Sequence, residues 1–169
     1  MLVIGIDPGT AITGYGLIYE NTSGNLEIVD YGSINTPSNL PLASRLLLLH
    51  EQLNNILTKY KPINAAVEKI FFQKNVKTAL NVGHARGVVF LALAEEKISI
   101  DEYTPTEIKQ AVVGYGAAGK VQVQSMVKTL LHLEENPQPD DAADALAVAI
   151  CHLHSSGFKE LIKNEGGSK

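Results

Sequence analysis

Residues 1–20 read MLVIGIDPGTAITGYGLIYE, and this stretch decides the fold. Met1–Asp7 is rich in Val and Ile and reads as a buried strand ending in Asp7-Pro8-Gly9, a turn signal. Residues 14–19 follow as a second strand, close enough to pair with the first as a hairpin. Ser23-Gly24-Asn25 is the next turn and residues 26–34 a third strand, so short connections make the three an antiparallel meander.

Beyond residue 40 the period changes. Leu42, Leu46, Leu49, Leu53, Ile56, Leu57 and Tyr60 recur at three- and four-residue spacing, which predicts an amphipathic helix over 41–60. Pro62 closes it, and residues 63–70 read as a fourth strand. A second helix is expected over 76–95, where Ala79, Gly83, Ala85 and Gly87 permit close packing on another helix, and a fifth strand over 98–103. Thr104-Pro105-Thr106-Glu107 is a capping box with proline at the first helical position. Gly114, Gly116 and Gly119 mark a loop before a helix over 121–133, and a last helix starts near Asp140 and reaches about His154. The order βββαβαβααα describes one α/β domain over residues 1–156: a mixed sheet of five strands, three antiparallel and two joined by parallel crossovers, flanked by helices. Residues 157–169, ending Gly-Gly-Ser-Lys, are expected to form a mobile tail.

The chain has 169 residues, 45% hydrophobic and 19% charged, proportions of an ordinary globular domain. No apolar run approaches the roughly 18 residues of a membrane span, and the N-terminus lacks a basic signal region, so a cytoplasmic protein without a membrane partner is expected. The one cysteine, Cys151, excludes an internal disulfide and multi-cysteine metal sites, and reads as a small buried hydrophobe. A net charge of -4 does not decide about nucleic acid, because residues 69–94 carry Lys69, Lys74, Lys77 and Arg86 and no acid.

Acids at three places in the chain are structurally awkward. Asp7 ends an apolar strand, Glu68 lies inside Ala65-Ala66-Val67-Glu68-Lys69-Ile70, and Asp140, Asp141 and Asp144 start the last helix among alanines. Isolated buried carboxylates are costly unless paired, protonated or metal-bound. If the fourth strand lies beside the first, Asp7 and Glu68 reach one crevice at the C-terminal ends of the strands. Helix periodicity can turn either Asp141 and Asp144 or Asp140 and Asp144 toward it, and leaves that choice open. Such a cluster needs cations, and an all-oxygen ligand set favours Mg²⁺ or Mn²⁺ over zinc. Two such ions can activate water and stabilise the leaving oxygen in phosphodiester hydrolysis, so a metal nuclease is expected.

The segments IGIDPGTAITGYG, AVEKIFFQKN, ARGVV, IKQAVVGYGAAGKVQVQSMV and DAADALAVAI, in this order, resemble the bacterial RuvC Holliday junction resolvases up to about residue 155. The resemblance implies an RNase H-like fold, a homodimer, two Mg²⁺ per subunit with Mn²⁺ as a substitute, and paired symmetric nicks in four-way DNA junctions. It puts the catalytic and metal-holding acids at Asp7, Glu68, Asp141 and Asp144, choosing Asp141 over Asp140. It also implies that Lys109 and Lys120 lie near DNA phosphates, that Phe71 meets the junction, and that a RuvA–RuvB branch-migration assembly is a partner. Lys74, Lys77 and Arg86 are further candidates for backbone phosphates, Arg86 alternatively for the dimer surface. Competing readings are a same-fold nuclease acting on RNA or hybrids, a non-catalytic junction-binding module, and a sugar kinase- or actin-like phosphotransferase half. The last needs a second phosphate loop for which the chain has no room.

Overall fold

The meander forms as β1 (Leu2–Asp7), β2 (Ile12–Glu20) and β3 (Leu26–Asn35). It is followed by α1 (Leu42–Tyr60), β4 (Asn64–Glu68), α2 (Val76–Glu95), β5 (Ser99–Tyr103), α3 (Pro105–Val113), α4 (Lys120–Leu130) and α5 (Asp140–Gly166). The computed structural model describes residues 1–69 and 76–166, and of 76–78 and 157–166 the backbone alone. The sheet order is β3-β2-β1-β4-β5: β2 is antiparallel to β1 and β3, whereas β4 is parallel to β1 and to β5. This is the expected RNase H-like sheet of five strands.

Strand alternation sends successive side chains to opposite faces. Ile4, Ile6, Leu17, Ala65 and Val67 face Leu49, Leu53 and Leu57 of α1 and Val89 and Leu93 of α2. Val3, Ile18 and Ala66 face α5, whose Leu146, Ile150 and Leu153 are almost fully buried. Each such side chain contributes about 1.5–3 kcal/mol on burial. From Ala145 to Leu153 α5 is buried all round, because α3 and α4 cover the side that the sheet does not. The capping box is present: the Glu107 N–H donates to Thr104 Oγ1 at 3.1 Å and the Thr104 N–H to the Glu107 carboxylate at 2.8 Å.

The close approach of α5 to the sheet depends on glycine. Gly5 and Gly16 are cross-strand partners, as are Asp7 and Gly14. A Cβ on Gly5 would lie 2.1 Å from the Ala145 carbonyl oxygen, and one on Gly14 1.9 Å from that of Asp141. These positions therefore exclude a side chain, and they draw the first turn of α5 down beside Asp7.

Two expectations need adjustment. The last helix runs to Gly166, not to about His154: Ser155-Ser156-Gly157 lowers helix propensity by only about 1 kcal/mol at the glycine, and no proline follows to stop the chain. On α2, Ala85 is fully buried against the sheet, while Gly83 and Gly87 face open space, so the small residues do not share one face. The expected tail over 157–169 concerns side chains, and at 167–169 a backbone, outside the described residues.

Candidate active site

The parallel register of β1 and β4 pairs Gly5 with Ala66 and Ile6 with Val67. One step further along brings Asp7 and Glu68 side by side at the C-terminal ends of the two strands, both on the α5 face. A side-chain hydrogen bond joins them. Asp141 and Asp144, three apart on the first turns of α5, turn toward the same corner, while Asp140 is more exposed. Acids from three separate segments are thus within electrostatic reach of one another.

Their proton affinities record this crowding. Asp7 is pushed up to about 7, first by burial and then by the charges of Glu68, Asp144 and Asp141. Glu68 is raised by burial and by Asp144, against the opposing influence of its hydrogen bond to Asp7 and of Lys109 and Arg86. Burial also raises Asp144, opposed by Lys120. Among the described residues no three acidic, His or Cys side chains stand ready-made at metal-ligand spacing. The geometry explains why: Asp7 is bonded to Glu68, and the Asp144 carboxylate is turned to Lys120. The donor set nevertheless fits a hard divalent cation. It is all oxygen, and its mutual repulsion is the strain that a cation would relieve.

Lys120, at the first turn of α4, donates to Asp144 at 3.0 Å and also lies 3.3 Å from Asp140. Gln124, one turn along, donates to Asp140 at 3.1 Å. Glu68, Asp144, Lys109 and Lys120 together line a cavity of about 270 Å³ walled by Ile108 and Val123. A second, shallower groove of about 350 Å³ runs between Gly9, Thr10, Asn81 and Asp141. The carboxylates therefore stand between two depressions, with the lysines on one side and a polar loop on the other.

That loop is held by residues that sequence reasoning missed. Arg45 of α1 donates to Thr36 Oγ1 and to the Thr10 carbonyl, both at 3.0 Å, and Thr10 Oγ1 donates to the Asn81 carbonyl of α2. The chain leaving Asp7 is so clamped between two helices. An arginine within an apolar helical stretch was the available signal for this clamp.

Arg86 is committed to protein partners rather than to solvent. Its side chain is 13% exposed, donates to the Glu68 carbonyl and is paired with Glu102. Phe71 and Lys74 lie outside the described residues, as does the side chain of Lys77. His152 is buried between Asn64 of β4 and Tyr103 of β5, 3.1 Å from each. Cys151 is buried beside it in sequence.

Residues 3–152 match the model of the family described as crossover junction endodeoxyribonuclease RuvC. The chain belongs to the RuvC family. The RuvC of Alkaliphilus oremlandii is 54% identical over 164 residues, covering 96% of this chain and 99% of the relative. That of Halothermothrix orenii is 56% identical over 155 residues, covering 92% and 93%. Among solved structures, Thermus thermophilus RuvC in complex with a Holliday junction substrate is 33% identical, with a TM-score of 0.89 over 94% of this chain and 96% of that one. A yeast mitochondrial Holliday junction resolvase, 18% identical with a TM-score of 0.72, shares the fold. The RuvC match spans all three segments that carry the acids, from β1 through β4 to the start of α5.

Proposed function

We infer that this chain is a metal-dependent endodeoxyribonuclease that resolves four-way DNA junctions, with Asp7, Glu68, Asp141 and Asp144 as its catalytic, metal-holding acids. Family membership carries the activity. The observation that supports the site is the convergence of acids from three segments on Asp7, whose pKa is raised to about 7 first by burial and then by those acids. Two Mg²⁺ ions bound there, with Mn²⁺ as a substitute, would supply water activation and charge neutralisation at the leaving oxygen. The chain's own part is to hold the phosphate and exclude alternatives. Lys120 and Lys109 line the adjacent cavity, where an ammonium offsets charge that grows on the phosphate in the transition state. Lys120 must then leave Asp144, exchanging one anion for another.

A two-fold homodimer places one such site on each of two equivalent strands of a symmetric junction. Its contact surface is best supported on α2, where Leu80 and Leu91 are 60% and 54% exposed and Gly83 and Gly87 face open space on the same stripe. A cytoplasmic location and a RuvA–RuvB partner follow from the family reading, and no helix among the described residues is long and apolar enough to cross a membrane.

The test is cleavage of an end-labelled four-way junction and its matched duplex, with Mg²⁺ and with EDTA. Paired nicks in opposite strands of the junction alone, dependent on metal and lost in Glu68→Gln, are expected. Equal cutting of RNA or hybrid would favour a same-fold RNA nuclease, and tight junction binding without cutting would make the chain a binding module.

A further inference from the structure

Glu68 is the last residue of β4, paired with Tyr103 of β5. The ladder continues for one more bond beyond the last residue of β4, Lys69 N–H to the Tyr103 carbonyl at 2.7 Å. A strand end of this kind frays unless something holds it, and a slip there would turn the Glu68 side chain away from Asp7. Arg86 provides the hold, from the opposite face of the sheet. Val67 and Glu102 are register partners and Val67 belongs to the α2 side, so Glu102 points toward α2 while Glu68 points toward α5. From α2, one arm of the Arg86 guanidinium donates to the Glu68 carbonyl and the other pairs with the Glu102 carboxylate. Its plane lies over the Phe90 ring, 4.6 Å from the centroid. Three restraints of different chemistry fix one fork.

We propose that Arg86 is a positioning residue for Glu68: it locks the ends of β4 and β5 together through the backbone carbonyl of the acid, and so sets where the carboxylate meets Asp7 and its cations. It touches neither phosphate nor the reacting atoms. The inference rests on the reading of Glu68 as a metal-holding acid. A lysine at this position keeps the positive charge but lacks the planar fork, and cannot hold carbonyl and carboxylate in one geometry.

The experiment compares wild type, Arg86→Lys, Glu102→Ala and Glu68→Gln as full-length proteins. It measures single-turnover cleavage of a saturating junction, junction affinity in EDTA, and Mn²⁺ binding to the DNA-free protein by electron paramagnetic resonance. For Arg86→Lys the cleavage rate falls roughly 10–100-fold and half-saturating Mn²⁺ rises about tenfold, while junction affinity stays within about twofold, since loss of a supporting group acts on metal and rate rather than on DNA contact. Glu102→Ala, at an exposed carboxylate, moves both quantities in the same direction and carries the test if Arg86→Lys fails to fold. A folded Arg86→Lys or Glu102→Ala with wild-type rate and wild-type Mn²⁺ binding, beside an inactive Glu68→Gln, overturns the positioning role and leaves the site intact. A Glu68→Gln that cuts normally overturns the site reading itself.

Discussion

In metal-free protein at neutral pH, Asp7→Asn is expected to stabilise the fold while abolishing cleavage. The Asp7 carboxyl is raised from 3.8 to about 7 by burial and by its acidic neighbours. Between those two values the folded state holds a proton that the unfolded chain has released, so stability falls as pH rises from about 4 to about 7. A shift of roughly three pH units at 1.36 kcal/mol each sets a ceiling of about 4 kcal/mol for the cost of ionising Asp7. Part of this remains after substitution, because Glu68 and Asp144 are also raised and the group titrates as a set, so about 2 kcal/mol is the working figure. Asparagine keeps the shape, and its amide can donate to Glu68 as the protonated acid does. For a chain of this length each kcal/mol moves the unfolding midpoint by about 2–4 °C, which gives a rise of about 4–8 °C. The assay is thermal unfolding by circular dichroism in EDTA at pH 8, 6.5, 5 and 4. The gap between variant and wild type should be widest at pH 8 and close toward pH 4, and added Mg²⁺ should raise the midpoint of the wild type more than that of the variant. Equal midpoints at pH 8, or a gap that does not change with pH, would refute the account of a crowded carboxylate cluster.

Three further variants probe other parts of the architecture. Gly14→Ala places a Cβ 1.9 Å from the Asp141 carbonyl oxygen, so it should cost about 1–3 kcal/mol in denaturant unfolding and lower cleavage by about a hundredfold through displacement of α5. Lys120→Ala removes the cation beside Asp144 and should lower single-turnover cleavage by about 10²-fold with junction affinity retained; loss of affinity alone would make it a tether rather than a transition-state group. Leu80→Glu combined with Leu91→Glu, both on the open stripe of α2, should turn the proposed homodimer into a monomer in light scattering and replace paired nicks by single ones. An unchanged dimer would move the interface elsewhere.

The sheet was legible because its signals are local. Period two over residues 1–34, period 3.6 from Leu42, and the capping box at Thr104 each speak for themselves, and crossover rules then order β1, β4 and β5. The acids were legible as misfits: Asp7 and Glu68 are charges in apolar strands, a pattern that core packing alone does not produce. Arg86 was not legible, since its acceptors, the Glu68 carbonyl and the Glu102 carboxylate, lie on two strands that only folding brings together. The resemblance singled out Lys120, but its pairing with Asp144 and Asp140 was hidden for the same reason, the partners being twenty or more residues away in sequence. Gly5, Gly14 and Gly16 offered a readable sign, alternate glycines in paired strands, whose meaning is close approach of another backbone. The length of α5 was missed because serines and a glycine weaken a helix without ending it.

β1 and α5, more than a hundred residues apart in the chain, meet in this molecule, and the meeting has a temporal consequence. Asp141 and Asp144 are synthesised more than a hundred residues after Asp7, roughly 7–27 s later at ribosomal speeds of about 5–20 residues per second. Until α5 docks, the glycine-lined face of β1 and β2 is bare, and Asp7 and Glu68 stand without Asp141 and Asp144. On the proposed assignment, the set of four acids is therefore complete only once α5 has docked, late in the growth of the chain.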